Sequence, residues 1–215
     1  MDNKRFFYIF LDIKGVLYTA DWIKFIQASG LSDDIQYKAE LDRLLAEHPD
    51  WKEFYDKGGY NRPKNVRKIC PYNMMSLNRL IEDLQYDYNV NLVITSTKWK
   101  EYFDLKTLPA LVKNGLQYKD IVIDKTPIIN EDKTFEIRKY LTQVRNTEDY
   151  VILDSDERLL NEFDNEKVIL VDKHHSGLTD ELVDNYLDMM SEKQDELVND
   201  SVMFDIDETE IIGAV

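Results

Sequence analysis

A chain of 215 residues is long enough for one domain with a small insertion, and 43% hydrophobic with 12% aromatic content excludes wholesale disorder. The formal net charge of −15 is unevenly spread: residues 180–215 hold twelve acids and one base, Lys193, so residues 1–179 carry only −4. That distribution argues against broad nucleic-acid binding by the C-terminal end and leaves the rest of the surface nearly balanced. A single cysteine, Cys70, permits no internal disulfide and suits a reducing, cytoplasmic compartment. The opening MDNKRFFYIFLD has an apolar run too short for a signal peptide, and it stops at Asp12, so export is not expected. No run approaches the roughly 20 apolar residues needed to cross a bilayer, so no membrane association is expected.

The first predicted element is a strand over Phe6–Leu11, apolar on both faces as a parallel sheet requires. Asp12 falls at its carboxyl end, where open α/β sheets place ligands, and Gly15 permits a sharp turn just beyond. A carboxylate placed there can serve as a nucleophile, as a cation ligand, or both. Residues 20–68 read as an insertion: Ser32 caps a helix with Ile35, Leu41, Leu44 and Leu45 on one stripe, and aromatic residues surround it. Its end, NRPKNVRK, brings Arg62, Lys64 and Arg67 together as a basic rim able to meet phosphate. As four side chains with Lys68, however, they fit a solvated basic loop better.

Pro71 opens a second helix with Met74, Leu77, Leu80, Ile81 and Leu84 in phase, closed by Tyr86–Asn91. The next strand, NLVIT, ends in Thr95, Ser96 and Thr97, whose hydroxyls can donate to an anion. A short helix bearing Trp99, Tyr102 and Phe103 follows. Ile121–Ile123 gives a third strand, KTFEIRKYLTQV a helix, Tyr150–Leu153 a fourth strand stopped by Asp154, and Val168–Val171 a fifth. Leu182, Val183, Tyr186, Leu187 and Met190 mark a final amphipathic helix. Strands alternating with helices in this way predict an α/β fold: a three-layer, doubly wound, mostly parallel five-stranded sheet with a small helical cap. The expected division is a core over 1–19 and 69–193, a cap over 20–68 and an acidic tail over 194–215. Within the tail, VMFDIDETE reads as a short strand or disordered acidic segment. His174-His175 reads as a loop pair without a third metal ligand nearby.

The ordered set LDIKGVL, VITS, Lys133 and ILDSD resembles the haloacid dehalogenase-like (HAD) superfamily of phosphohydrolases, whose fold is Rossmann-like. CPYNMMSLNRLIEDL, ITSTKW, KTFEIRKYL, YVILDSDE and VILVDKHHSGLT are further similar to a bacterial and phage subgroup of RNA-repair association, over about residues 6–190. The resemblance implies Asp12 as the nucleophile forming an aspartyl-phosphate, with Thr95 and Ser96 on the phosphate. Lys133 would offset charge, with Lys125 as the second choice for that cation. It implies Mg²⁺ on Asp12, the Lys14 carbonyl and Asp154, and it places the cap, with Arg62, Lys64 and Arg67, over the substrate. The substrate class would be phosphate monoesters, among them nucleotides and nucleic-acid ends.

Two positions depart from the superfamily pattern. Ser155 stands where a second acid is common, with Asp156 adjacent as a substitute ligand. Lys14 stands where the phosphatases carry an Asp that acts as general acid and base, work worth typically 10²–10⁴-fold. A lysine ordinarily titrates near ~10.4, so it neither gives up a proton readily at neutral pH nor accepts one from water. Its ammonium is expected to pair with Asp12 and Asp154 and compete with the metal. Three readings of Lys14 stand open from sequence: a degenerate, ligand-binding phosphatase, a reaction needing no acid at this position, or an introduced inactivating substitution. The alternative in a different class is a non-catalytic interaction protein that engages a basic partner through its acidic C-terminal helix and tail.

Overall fold

The computed structural model describes residues 4–28, 69–100, 103, 107–117, 121–129, 132–145 and 149–207. The helix expected after Ser32 and the basic residues Arg62, Lys64 and Arg67 lie outside them. Five strands form one sheet in the order β3-β2-β1-β4-β5, every neighbouring pair parallel. They are β1 (Arg5–Leu11), β2 (Tyr88–Ile94), β3 (Val122–Lys125), β4 (Tyr150–Asp154) and β5 (Val168–Leu170). The helices are α1 (Ala20–Ala28), α2 (Pro71–Leu84), α3 (Thr97–Lys100), α4 (Leu108–Lys113), α5 (Lys133–Val144) and α6 (Asp180–Asp207).

Side chains alternate across a strand, and β1 shows why its apolar run is continuous. Phe7, Ile9 and Leu11 face one layer, where they meet Met74, Leu77 and Ile81 of α2 and Val183 and Tyr186 of α6. Tyr8 and Phe10 face the other, against Ile137, Tyr140 and Leu141 of α5. Both layers are buried, so each large side chain contributes roughly 1.5–3 kcal/mol of hydrophobic stabilisation. Aromatic edges fill the second layer, with Phe10 meeting both Tyr140 and Tyr150 in T-shaped contacts.

Several element boundaries differ from the sequence-based expectation. Strand β2 starts at Tyr88 rather than Asn91, because β1 offers ladder partners from Arg5 onward and Arg5 pairs with Tyr88. Tyr88 and Val90 are buried while Asn89 is exposed, the two-residue period of a strand. Strand β3 is displaced to Val122–Lys125, in register with Asn91–Ile94; on an edge strand Asp124 and Lys125 remain within reach of solvent. Helix α4 was not expected, although Pro109 near its start and Gly115 just past its end, at φ 96°, are ordinary helix punctuation. Residues 202–207, expected as a strand or disordered tail, continue α6 without interruption. No glycine or proline occurs between Gly177 and Gly213 to stop it.

Candidate active site

The strand order reverses at β1. The chain steps outward from β1 to β2 and β3, and α5 then carries it back across to β4 on the other side. A crevice at the carboxyl ends of β1 and β4 is where such a sheet binds ligands. Leu11 pairs with Leu153, so Asp12 and Asp154 leave the sheet side by side. The Asp12 N–H donates to the Leu153 carbonyl at 3.0 Å, which fixes that level.

Lys133, the first residue of α5, reaches both acids. Its ammonium donates to Asp154 Oδ2 at 2.6 Å and lies 3.2 Å from Asp12 Oδ2. Asp132 caps the helix by accepting from the Phe135 N–H at 3.2 Å, which sets the turn that aims Lys133 inward. Burial works against the Lys133 charge, but the charges and hydrogen bonds of Asp12 and Asp154 outweigh it and hold the ammonium above its ordinary value. Asp154 is pushed up to about 6, first by burial and then by the charge of Asp12; Lys133 and the Ser155 N–H oppose that rise. Asp154 Oδ1 accepts from the N–H groups of Ser155 at 2.7 Å and Asp156 at 3.1 Å.

Ser96 holds the other side of Asp12. Its hydroxyl donates to Asp12 Oδ1 and accepts from the Ile13 N–H at 2.6 Å. Thr95, expected on the phosphate, is instead 1% exposed, and among the described residues its hydroxyl has no partner; its N–H donates to the Leu11 carbonyl at 2.9 Å. After Asp12 a tight turn over Ile13–Val16 contains extended Lys14 and left-handed Gly15, φ 93°. A Cβ at Gly15 would stand 2.8 Å from Ser155 Oγ and 2.9 Å from Lys173 Cβ, so three segments meet there without room for a side chain.

The remaining candidates take different positions. Lys14 is exposed and, among the described residues, makes no ion pair; the partnership with Asp12 and Asp154 expected of it belongs to Lys133. The extended conformation of Lys14 carries its side chain out of the turn, while α5 delivers Lys133 between the acids. Both Asp156 oxygens are engaged by the Arg158 guanidinium, which holds that carboxyl down at about 2. Lys125 lies elsewhere, donating to the Lys100 carbonyl at 3.4 Å with its ammonium 5.3 Å from the Phe103 ring centre.

A cavity of about 1440 Å³ opens over these groups, lined among others by Asp12, Lys14, Lys133, Asp154, Lys173 and His174. Lys173 was missed from sequence, although its place just beyond β5 follows the same strand-end logic that singled out Asp12. The turn after β5 is tied to α1: the N–H groups of Ala20 and Asp21 donate to the carbonyls of Lys173 at 3.1 Å and His174 at 2.9 Å. His175 Nδ1 lies 2.7 Å from Asp21, and that contact leads the effects that raise the imidazole's pKa and lower the carboxyl's.

Among the described residues no cluster of three or more His, Cys, Asp or Glu could hold a metal. Asp12 and Asp154 still offer a purely oxygen donor set, which fits Mg²⁺, an ion that binds through one or two carboxylates and retains water. Among the described residues no helix is long and apolar enough to cross a membrane.

Residues 8–183 match the family model described as HAD domain in Swiss Army Knife RNA repair proteins. Neither the curated proteins nor the solved structures compared with the chain give a significant match.

Proposed function

The chain belongs to the family of HAD domains in Swiss Army Knife RNA repair proteins, and from that premise we propose that it is a phosphohydrolase scaffold acting on phosphate monoesters, with Asp12 as the nucleophile. The observation that carries this reading is the Lys133 ammonium set 3.2 Å from Asp12 and 2.6 Å from Asp154 at the reversal point of the sheet. A cation there lies beside the attacking carboxylate and where negative charge gathers during phosphoryl transfer.

Ser96 occupies Asp12 Oδ1. That leaves Oδ2, beside Lys133, as the attacking oxygen. As its bond to phosphorus forms, the bond from phosphorus to the leaving oxygen breaks, and an acyl phosphate on Asp12 results. Water then attacks that phosphorus, the bond to Asp12 breaks, and the carboxylate returns as phosphate departs. Mg²⁺, when bound by Asp12, Asp154 and the Lys14 carbonyl, would supply neutralisation of the phosphoryl oxygens. The step this site serves poorly is proton transfer. A lysine, Lys14, stands where an acid–base carboxylate would serve, and Asp156 is committed to Arg158. Hydrolysis should therefore be slow.

Turnover of p-nitrophenyl phosphate in Mg²⁺ tests the reading. The chain should show slow hydrolysis, Asp12→Asn should show none, and Lys14→Asp should raise the rate at least about tenfold, the low end of what a positioned acid–base supplies. If Asp12→Asn retained the rate, the nucleophile assignment would be lost; if Lys14→Asp changed nothing, the account of slow turnover would be.

A further inference from the structure

We infer that Lys14 and Lys173 form a second anion-binding subsite in the same cavity, so that the substrate carries a second phosphate close to the one that reacts. The word substrate rests on the phosphohydrolase reading; the subsite itself rests on the charges lining the cavity and on how the two lysines are held.

Most acids of the cavity are spent. Asp12 and Asp154 are engaged by Lys133, and Asp156 by Arg158. The Asp172 carboxylate accepts from the N–H groups of His174 at 2.8 Å and His175 at 3.2 Å. Among the described residues Glu157 is the remaining acid of the cavity lining. Lys14 and Lys173 are exposed, line the cavity and, among the described residues, have no ion-pair partner. Two unpaired cations therefore line one cavity whose carboxylates are mostly engaged elsewhere.

They are also held together. The point where a Gly15 Cβ would stand lies 2.9 Å from Lys173 Cβ, so the Lys173 stem begins against the residue next to Lys14. The Lys173 backbone is fixed by its carbonyl's bond from the Ala20 N–H at 3.1 Å and by the Asp172–Gly177 bridge around it. Both lysines thus rise from adjoining backbone over one cavity, where a single anion can meet both. Isolated surface lysines would contribute nothing of this kind; adjacency over a cavity does.

Position limits what the anion is. Lys14 follows Asp12 by two residues, which places their Cα atoms at most ~7 Å apart. The two positions therefore start from neighbouring backbone, near enough for one nucleotide-sized ligand to reach both. The cavity of about 1440 Å³ exceeds the ~300–1,000 Å³ of ordinary small-molecule sites and has room for both. Lysines are point-charge ligands for phosphate, which suits a dianion better than a single carboxylate. The class is a sugar or nucleoside phosphate bearing a second phosphate.

Calorimetric binding in metal-free buffer tests this with a nucleoside 3′,5′-bisphosphate and its two monophosphates. The bisphosphate should bind at least about tenfold tighter than either monophosphate, as one added charge-assisted contact predicts. Lys14→Gln and Lys173→Gln should each remove most of that advantage. Lys98→Gln, an exposed lysine outside the cavity lining, should not. Equal affinity for mono- and bisphosphate, or an equal loss in Lys98→Gln, overturns the subsite. Asp12-dependent turnover is read separately, so a bisphosphate preference without turnover discards the hydrolase while keeping the subsite, and turnover without the preference does the reverse.

Discussion

At Gly15 the backbone has φ 93°, and an added Cβ would press on Ser155 and on Lys173. Gly15→Ala should cost about 1–3 kcal/mol in urea unfolding, from strain plus displacement. Gly115→Ala makes the contrast: φ is 96° there too, but the residue ends α4 and is absent from the cavity lining. It should cost about 1 kcal/mol and leave phosphatase turnover intact, whereas Gly15→Ala should lose turnover as well. If both variants kept turnover, the close packing around Gly15 would have no part in the site. Asp12, Asp154 and Lys133 were legible in sequence because strand ends and helix starts obey local rules. The choice between Thr95 and Ser96 was not, since both are hydroxyls at one strand end and only the geometry beyond the ladder brings Ser96 to Asp12. Lys173 escaped notice because its approach to Gly15 is made by chain folding and leaves no trace in spacing.

Between elements, one buried charge pair joins the pieces that bear on Asp12. Lys100 closes α3, four residues after Ser96, and Glu136 lies one turn beyond Lys133 in α5; both are almost fully buried and form an ion pair. Lys100 also donates to Thr126 Oγ1 at 3.1 Å, and Glu136 Oε1 accepts from the Ile129 N–H at 2.7 Å. Glu136→Gln leaves a buried ammonium without its countercharge and should cost about 3–5 kcal/mol, read from the denaturation midpoint. The double variant Lys100→Met with Glu136→Leu should recover most of that loss, because a buried pair adds little over well-packed apolar groups of similar size. Failure to recover would mean that the charges themselves secure α5. The sequence disclosed both helices but not this pairing, since nothing in the local spacing of Lys100 or Glu136 signals a partner 36 residues away. Periodicity likewise gave α2 and α5, whereas the start of β2 was set by its neighbour β1 and could not be read from β2 alone.

For the molecule as a whole, the five-strand α/β fold was readable because each strand is short, apolar and stopped by a polar residue, with helical periodicity between. The extent of α6 was less so, since acidic composition hid a helix. Among the described side chains of α6, those against the core are Leu182, Val183, Tyr186, Leu187, Met189 and Met190, all in its first three turns. Removing residues 194–215 should therefore shift Tm by no more than about 2–4 °C, the equivalent of ~1 kcal/mol in a chain of this size, and leave phosphate-ester turnover unaffected. A larger loss would show that the distal part of α6 supports the fold. The placement of β1 has a further consequence for how the chain comes off the ribosome. The first strand made is the middle strand of the sheet, and its second edge finds no partner until β4 has been synthesised, with Leu11 waiting for Leu153. Through most of translation a nascent chain thus carries an apolar strand with one open hydrogen-bonding edge, the form most prone to pair with another copy. Fragments ending before Tyr150 should aggregate, and the emergence of β4 should be the moment at which β1 closes and the two halves of the crevice first meet.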